Sequence, residues 1–200
     1  MLSVILLAAG MSRRMGAQNK MLLPLGDSTI VETTLENITA AEIGEVVVVT
    51  GYEPQQVRVL LEGKGVRLVH NPDFASGMTT SIQAGVRAAS PETSGFMICL
   101  ADMPLILPDE YRHLAQLFAQ HLAVNPALIV QAYSGKKPGN PVIFSAQYRA
   151  EILNLTWLEG CKPIVQANRA AVFPVNFATD HFIIDLDTPE DYQMLSPLLV

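Results

Sequence analysis

VILLAAGMSRRMGAQNK, residues 4–20, is the stretch that decides the fold. Its first five residues form a continuous apolar run, the pattern of a strand that is covered on both faces. The residues that follow form a glycine-containing loop, which carries the three cations Arg13, Arg14 and Lys20. Because this loop directly follows a buried strand, we expect an α/β sheet with a phosphate-binding loop at its edge.

Further apolar runs follow along the chain, and amphipathic segments lie between them. The runs cover residues 46–49, 96–101 and 127–130, with a shorter candidate at 66–69. Alternation of strands and helices implies right-handed crossovers between neighbouring strands. We therefore predict a single α/β domain of Rossmann-like type, with a mostly parallel sheet and helices on both faces. The less regular region 131–175 predicts antiparallel strands or a lid.

The amphipathic segments have the spacing of helices that pack one face against a sheet. Thr29 and Glu32 have the spacing of a capping box, so a helix is predicted to begin there. We interpret three apolar stripes as core packing. They consist of Val31, Leu35 and Ile38; of Ile82, Val86 and Ala89; and of Leu114, Leu117, Phe118 and Leu122.

Composition argues against several classes of protein. Half of the 200 residues are hydrophobic and 16% are charged, which is too apolar for a disordered chain. The net charge of −6 and the lack of a basic stripe argue against a nucleic-acid partner. No apolar run approaches about 18 residues and no basic residue precedes the first one, so neither a membrane span nor a secretory signal is expected.

The cysteines and histidines favour a cytoplasmic protein without a zinc site. Cys99 lies in an apolar run and Cys161 is far from it in sequence, which suits free thiols in a reducing compartment. The four histidines are scattered, and His113 and His121 stand eight positions apart, which is poor spacing for zinc ligands.

The first loop has features that suit phosphate binding. Gly10 and Gly16 permit positive φ and a close approach of the backbone to a phosphate. The loop is not a Walker loop, because Ala17 stands where the lysine belongs, and Ser12 replaces the second glycine of a dinucleotide fingerprint. The alternative is an ordinary loop between a strand and a helix, with solvated charges.

Two acidic segments are candidates for a metal site. Asp102 follows a buried strand and therefore belongs in the ligand crevice, unless it only makes an Asx turn. In residues 185–191, DLDTPED, the start of a helix accounts for the second half but does not need both Asp185 and Asp187. Because Mg²⁺ takes one or two carboxylates together with substrate phosphates, Asp187 is the candidate second ligand.

Two further segments combine turn residues with polar groups. Residues 70–81, HNPDFASGMTTS, join a strand to a helix, and their hydroxyl groups suit either capping or recognition of a base or phosphate. Capping is expected to use one of Thr79, Thr80 and Ser81. Residues 136–141, KKPGNP, are basic and rich in proline and glycine, which predicts a turn.

Taken in order, these segments resemble the motifs of the MobA/MocA-like NTP transferases, which complete the molybdenum cofactor. The resemblance rests on AAGMSRRMG with its lysine and LLP at residues 8–24, on HNP to SI at 70–82, on ADMP at 101–104, on GNPV at 139–142 and on DLDTPED at 185–191. One such motif would be weak evidence for the family, whereas five in the same order, which together run across most of the chain, are strong evidence. The resemblance implies a nucleotidyltransferase fold.

The resemblance also implies roles for particular residues. Arg14, Lys20 and Asp102 would be the catalytic groups, and Asp102 and Asp187 would hold Mg²⁺. Residues 1–130 would form the nucleotide-binding half, and residues 131–200 the acceptor-side half. The implied nucleotide-binding set is Leu7, Ala8, Ala9, Gly10, Ser12, Arg13, Arg14, Lys20, Asn71, Gly77, Ser81 and Asp102.

The implied reaction is Mg²⁺-dependent transfer of a nucleoside monophosphate to a phosphorylated acceptor, with release of pyrophosphate. No general base is required, because an ionised acceptor phosphate is already nucleophilic. Guanylyl members of the family carry glycine at the position of Ala9, and a methyl group there should crowd a purine. We therefore expect CTP as the donor and molybdopterin as the acceptor, with a client molybdoenzyme as a candidate partner.

The sequence departs from the family's pattern at three places, of which Asn140 concerns the acceptor site. Ala101 replaces a common glycine, Asn140 replaces a common histidine, and residues 160–163 stand where the family often has a Gly-Asp segment. Three alternatives stay open. The chain could be a GTP-dependent guanylyltransferase, a transferase for sugar or polyol phosphates, or a non-catalytic nucleotide-binding maturation partner of a molybdenum hydroxylase.

Overall fold

The computed structural model describes residues 1–12 and 19–195. Strands and helices alternate along most of the chain. The strands are β1 (Leu2–Ala8), β2 (Pro24–Leu25), β3 (Ser28–Thr29), β4 (Gly44–Thr50), β5 (Arg67–His70), β6 (Gly95–Leu100), β7 (Ile129–Ser134), β8 (Lys137–Ser145) and β9 (Val172–Phe177). The helices are α1 (Ile30–Ala40), α2 (Pro54–Leu61), α3 (Met78–Ala88), α4 (Pro108–Leu122), α5 (Arg149–Leu153), α6 (Lys162–Ala167) and α7 (Pro189–Leu195).

One seven-stranded sheet has the order β5-β4-β1-β6-β8-β7-β9, and β2 and β3 form a small separate ribbon. β1 pairs parallel with both neighbours, so that Leu7 lies opposite Val49 on one side and Leu100 on the other. β8 runs antiparallel to β6 and β7, whereas the other pairs in this sheet are parallel. The predicted mostly parallel sheet is confirmed, and β8 is the antiparallel strand expected in the region 131–175.

Helices cover both faces of the sheet. Val4 and Leu6 of β1 pack with α1, α2 and α4 in one apolar cluster. Ile5 and Leu7 point to the opposite face and pack with α3, α5 and α6 in a second cluster. The three predicted apolar stripes lie in α1, in and just after α3, and in α4, where they contribute to these two clusters.

The starts of two helices differ in how they are capped. At α1 the Thr29 hydroxyl accepts a hydrogen bond from the Glu32 amide, and the Glu32 carboxylate accepts one from the Thr29 amide at 3.2 Å. The predicted capping box is therefore confirmed. At α3 the capping residue is Gly77, with φ of 117°, and the expectation that a threonine or serine hydroxyl caps this helix is wrong. The hydroxyl groups of Thr79 and Thr80 bind other partners.

The segment 136–141 also differs from the prediction. Residues 135–136 form the turn, and the rest of the segment already belongs to β8. This part of β8 pairs with β7 alone, across a register shift between Gln131 and Tyr133, before β6 joins. Prolines are tolerated at such an irregular position because few ladder hydrogen bonds are lost there. Within the described residues, no helix has the length and apolar character needed to cross a membrane.

Candidate active site

A cleft of about 520 Å³ opens at the carboxyl ends of β1 and β6. Parallel sheets bind ligands at this edge, where the loops after neighbouring strands converge. Eight residues of the expected nucleotide-binding set line it: Leu7, Ala9, Gly10, Ser12, Lys20, Gly77, Ser81 and Asp102. The other lining residues are Met11, Met21, Phe74, Ala75, Met78, Leu100, Asp185 and Asp187.

Among the described residues of the expected set, Ala8 and Asn71 do not line this cleft. The Ala8 side chain is buried in the cluster with α1, because its neighbour Ala9 takes the position that faces the cleft. Asn71 lies behind the wall, where its amide donates hydrogen bonds to Ser81 at 3.0 Å and to Thr80 at 2.9 Å. It therefore orients the hydroxyl that faces the cleft. Arg13 and Arg14 lie outside the described residues, as does Gly16 of the same loop.

Backbone geometry in the described part of the first loop differs from the expectation. Positive φ occurs at Ser12, with 50°, and Gly10 is not among the glycines with positive φ. A Cβ atom on Gly10 would meet nothing within 4 Å, so the bare backbone faces open space in the cleft. The Ser12 hydroxyl accepts a hydrogen bond from the Lys20 amide at 3.0 Å, which ties the two ends of the loop together.

Lys20 joins two acidic segments that are far apart in sequence. Its ammonium group is hydrogen-bonded and ion-paired to Asp102, and it donates to Asp187 Oδ1 at 2.7 Å. Burial lowers the pKa of Lys20, but the carboxylates outweigh that effect and raise the pKa above its ordinary value. The lysine is therefore fully charged at neutral pH, and three expected site residues form one cluster.

Asp185, which was not among the residues predicted from the sequence, completes this cluster. Asp102, Asp185 and Asp187 each place one carboxylate oxygen within 4.8 Å of the others. Burial raises the pKa of Asp185, and the charges of Asp187 and Asp102 raise it further. The signal that could have found it is the spacing of two between Asp185 and Asp187, which places side chains on one side of an extended segment.

The acidic cluster fits a divalent cation. Among the described residues, Asp102 Oδ1 is a buried oxygen atom without a hydrogen-bond partner. In the part of the chain that the structure describes, Lys20 is ion-paired with Asp102 and Asp187, and a carboxylate oxygen of Asp185 lies beside theirs. Hard oxygen donors of this kind are the ligands that Mg²⁺ prefers. Asp102, Asp185 and Asp187 are therefore the residues that could hold such an ion.

The segment that carries Asp185 and Asp187 is fastened to the sheet and to α4. The Leu186 amide donates to the backbone oxygen of Asp102 at 3.0 Å, which brings the two acidic segments together directly. Upstream, Glu110 at the start of α4 accepts from Thr179 at 2.9 Å and contacts His181 Nδ1 at 2.9 Å. Downstream, the predicted helix start is confirmed, since α7 begins at Pro189.

A second cavity of about 780 Å³ adjoins the cleft and shares Met78 and Leu100 with it. Its body is apolar, and Gln131, Asn140 and Arg169 add polar groups. The segment 160–163, which the sequence left unassigned, contributes Gly160, Cys161 and Lys162 to the wall. The other lining residues are Ile82, Ile98, Tyr133, Pro138, Gly139, Val142, Phe144, Glu159, Val165, Gln166, Val172 and Pro174.

The junction of these spaces is marked by residues that they share. A third cavity, of about 390 Å³, shares Asp185 with the cleft and Asn140 with the second cavity, and Leu100 lines all three.

Burial raises the pKa of Cys161 to about 12, with a smaller contribution from Glu151. Cys161 is therefore a neutral thiol in the wall of the second cavity, which is unfavourable for a nucleophile.

Nucleotidyltransferases are the class of enzyme that this fold and this cleft define. A solved nucleotidyl transferase from Methanothermobacter thermautotroptrophicus shares the fold, with a TM-score of 0.84 and 22% identity over 100% of this chain and 97% of that chain. Residues 4–172 match the MobA-like NTP transferase domain. The chain belongs to the MobA-like NTP transferase family.

Two curated relatives match nearly the whole chain. A molybdenum cofactor cytidylyltransferase of Escherichia coli (strain K12) is 29% identical, over 94% of this chain and 92% of its own length. The purine catabolism protein PucB of Bacillus subtilis (strain 168) is 31% identical, over 96% of this chain and 94% of its own length. The resemblance inferred from the sequence motifs is thereby confirmed at the level of the family.

Proposed function

We propose that this chain transfers CMP from CTP to molybdopterin in a Mg²⁺-dependent reaction that releases pyrophosphate. The observation that carries the proposal is the position of the charged cluster. Lys20, Asp102, Asp185 and Asp187 line a cleft that adjoins a second, mostly apolar cavity. A transferase needs such an arrangement, because donor and acceptor must meet at the groups that neutralise the reacting phosphates.

In this reaction an oxygen atom of the acceptor phosphate attacks the α-phosphorus of CTP. A new oxygen–phosphorus bond forms, and the bond from the α-phosphorus to the bridging oxygen breaks, so that pyrophosphate leaves with the electron pair. The chain contributes position and charge rather than a covalent nucleophile. The cationic Lys20 is proposed to neutralise the triphosphate, together with Arg14, which lies outside the described residues.

The acidic cluster supplies the proposed metal site. Asp102, Asp185 and Asp187 would hold Mg²⁺, which adds Asp185 to the two ligands expected from the sequence. The ion would supply Lewis-acid polarisation of phosphoryl oxygens. Lys20 then has a second role, because its ion pairs with Asp102 and Asp187 fix the direction of both carboxylates.

The preference for CTP is supported by the wall around Ala9. A Cβ atom on Gly51 would lie 2.5 Å from the Phe74 Cβ atom and 2.8 Å from that of Ala9, so these three residues are closely packed. Ala9 and Phe74 also line the cleft. A methyl group in such a wall cannot move aside easily, which favours a small pyrimidine over a purine. The cytidylyltransferase relative agrees with this preference.

The acceptor is proposed to occupy the second cavity. Its apolar body suits the flat ring system of a pterin, and its polar groups suit the attached phosphate. A sugar or polyol phosphate has no comparable apolar surface, so it would leave most of this wall without contact. Residues 131–200 would thereby act as the acceptor-side half, and residues 1–130 as the nucleotide-binding half.

Pyrophosphate release tests the proposal. Purified protein is supplied with Mg²⁺ and either CTP, GTP, ATP or UTP, with and without molybdopterin. We expect release that requires molybdopterin and is fastest with CTP. Preference for GTP would identify a guanylyltransferase instead. Absence of release with molybdopterin, but release with sugar or polyol phosphates, would replace the acceptor. An Asp102→Ala variant that still supports cofactor maturation would favour the non-catalytic maturation partner.

A further inference from the structure

α3 lies between the two large cavities and contributes to both. Ser81, near its start, lines the nucleotide cleft, whereas Ile82 lines the second cavity and Met78 lines both. The hydroxyl groups of two adjacent threonines on this helix bind different segments of the chain. Thr79 binds the segment 157–160, and Thr80 binds the loop before the helix. One of these threonines is therefore connected to the second cavity, and the other to the loop beside the nucleotide cleft.

Thr79 holds the segment 157–160 by three hydrogen bonds. Its hydroxyl donates to the Trp157 backbone oxygen and accepts from the Gly160 amide at 3.0 Å. Its own amide donates to the Leu158 backbone oxygen at 3.4 Å. Thr79 is 3% exposed, so these bonds are shielded from water and their loss is not easily compensated.

The segment that Thr79 holds is part of the wall of the second cavity. Glu159 and Gly160 line this cavity directly, and Cys161 and Lys162 continue the wall into α6. The start of α3 contacts this segment closely, because a Cβ atom on Gly77 would lie 2.7 Å from the Leu158 backbone oxygen. Thr79 and Gly77 therefore both contact the segment that contributes to this wall.

Thr80 provides the contrast. Its single hydroxyl proton lies between two acceptors, the backbone oxygens of Asp73 at 3.0 Å and Gly77 at 2.9 Å, and its oxygen accepts from Asn71 at 2.9 Å. Asn71 also donates to Ser81, which faces the nucleotide cleft. The two threonines thus have the same chemistry and neighbouring positions, but they are connected to different cavities.

We infer that Thr79 is a positioning residue for the acceptor, which sets the shape of the second cavity through the segment 157–160. The inference rests on the proposed function, in which the acceptor occupies that cavity. Thr79→Val keeps the shape of the side chain but leaves the Trp157 oxygen and the Gly160 amide without their partner. Loss of these bonds should raise the KM for the acceptor about tenfold, with kcat and the KM for CTP changed less than about twofold.

Kinetics of four variants test this inference. Thr79→Ser should restore the acceptor KM, because serine keeps the hydroxyl group. Thr80→Val should instead raise the KM for CTP. Thr39→Val, whose hydroxyl binds carbonyl oxygens of α1 in the wild type, should behave as wild type. If Thr79→Val does not fold, Thr79→Ala, which leaves room for a water molecule, replaces it. Equal effects on both KM values, or failure of serine to restore, would overturn the inference.

Amide hydrogen exchange gives a readout that does not depend on turnover. The Gly160 amide should exchange faster in Thr79→Val than in wild type, and serine should restore its protection. Unchanged exchange in the valine variant would overturn the link between Thr79 and the wall. A wild-type protein that turns over no acceptor would refute the proposed function, while the exchange result would still decide whether Thr79 holds this segment.

Discussion

The two halves of the sheet build their parts of the site in different ways. In the first half β1, β4, β5 and β6 are parallel, and the loops after β1 and β6 bring Lys20 and Asp102 into the cleft. In the second half the antiparallel strand β8 interrupts this pattern, and short segments around α6 form the wall of a cavity. Lys20 and three aspartates form one charged cluster in the first space, whereas the charged residues of the second, Glu159, Lys162 and Arg169, stand in a wall of mostly apolar residues.

Under the proposed function, this difference corresponds to a division of labour between the two halves. Parallel strands place the ends of several loops at one edge, which suits charged groups that must converge on phosphates. An antiparallel insertion with short helices offers a broad apolar surface, which suits recognition of a ring system. The acidic segment with Asp185 and Asp187 joins the first space late in the chain, through the hydrogen bond between Leu186 and Asp102.

The largest effect is expected when one carboxylate charge is removed from the nucleotide cleft. Asp102→Asn should lower kcat by on the order of a thousandfold, because the neutral amide binds Mg²⁺ weakly and no longer pairs with the buried Lys20 ammonium. Pyrophosphate release at saturating CTP measures the effect. Asp27→Asn is the matched control, since Asp27 is exposed. A loss of less than about tenfold would show that Asp102 is not central to the reaction.

The second test fills the apolar space instead. Val165 lines the second cavity on α6, and Val165→Trp should raise the KM for the acceptor by on the order of a hundredfold, because the indole occupies the ring site. Binding of CTP, measured by calorimetry, should not change. Val124→Trp, at a position that is 81% exposed, controls for the added bulk. Weakened CTP binding in the Val165 variant would mean that the two spaces are not separable.

A smaller effect is expected from the wall of the nucleotide cleft. Ala9→Gly removes the methyl group beside Phe74, and it should reduce the preference for CTP over GTP about tenfold. The ratio of kcat/KM for the two nucleotides measures this change. Ala75→Gly makes the same substitution elsewhere in the cleft and should leave the ratio unaltered. An unchanged preference in Ala9→Gly would refute the steric explanation of base selection.

The smallest effect is expected at the opposite end of the sheet, far from both spaces. Burial raises the pKa of Glu45, but hydrogen bonds from Ser3 and Ser90 and the charge of Arg67 outweigh it and lower the pKa. Glu45→Gln should lower the free energy of unfolding by about 1 kcal/mol at neutral pH, with activity unchanged.

The pH dependence of that difference has a definite sign. A carboxyl group with a lowered folded-state pKa stabilises the protein above its ordinary pKa of 4.5, and this stabilisation is lost as the pH falls through the folded-state value. Denaturant unfolding of wild type and Glu45→Gln should therefore converge in acid. A difference that grows as the pH falls would contradict the role of Glu45.

Much of the first half was predictable from local sequence patterns. Continuous apolar runs mark buried parallel strands, and spacings of three and four mark the helices that cover them. The capping box at Thr29 and Glu32 involves neighbours in sequence, so the residue types suffice to predict it. The second half was less predictable, because the fate of residues 136–141 depends on a register shift in β7 that no local pattern encodes.

The residues of the candidate site were likewise predictable only in part. The sequence by itself determined that Asp102 and the loop that ends at Lys20 follow buried strands, whose carboxyl ends meet at the ligand edge of a parallel sheet. It also determined that Asp187 is a candidate, because a helix start does not need both Asp185 and Asp187. The tertiary structure decided that Asp185 joins them, that Asn71 works behind Ser81, and that residues 160–162 line a cavity. Those facts depend on contacts between residues far apart in the chain, and folding alone brings such residues within hydrogen-bond distance.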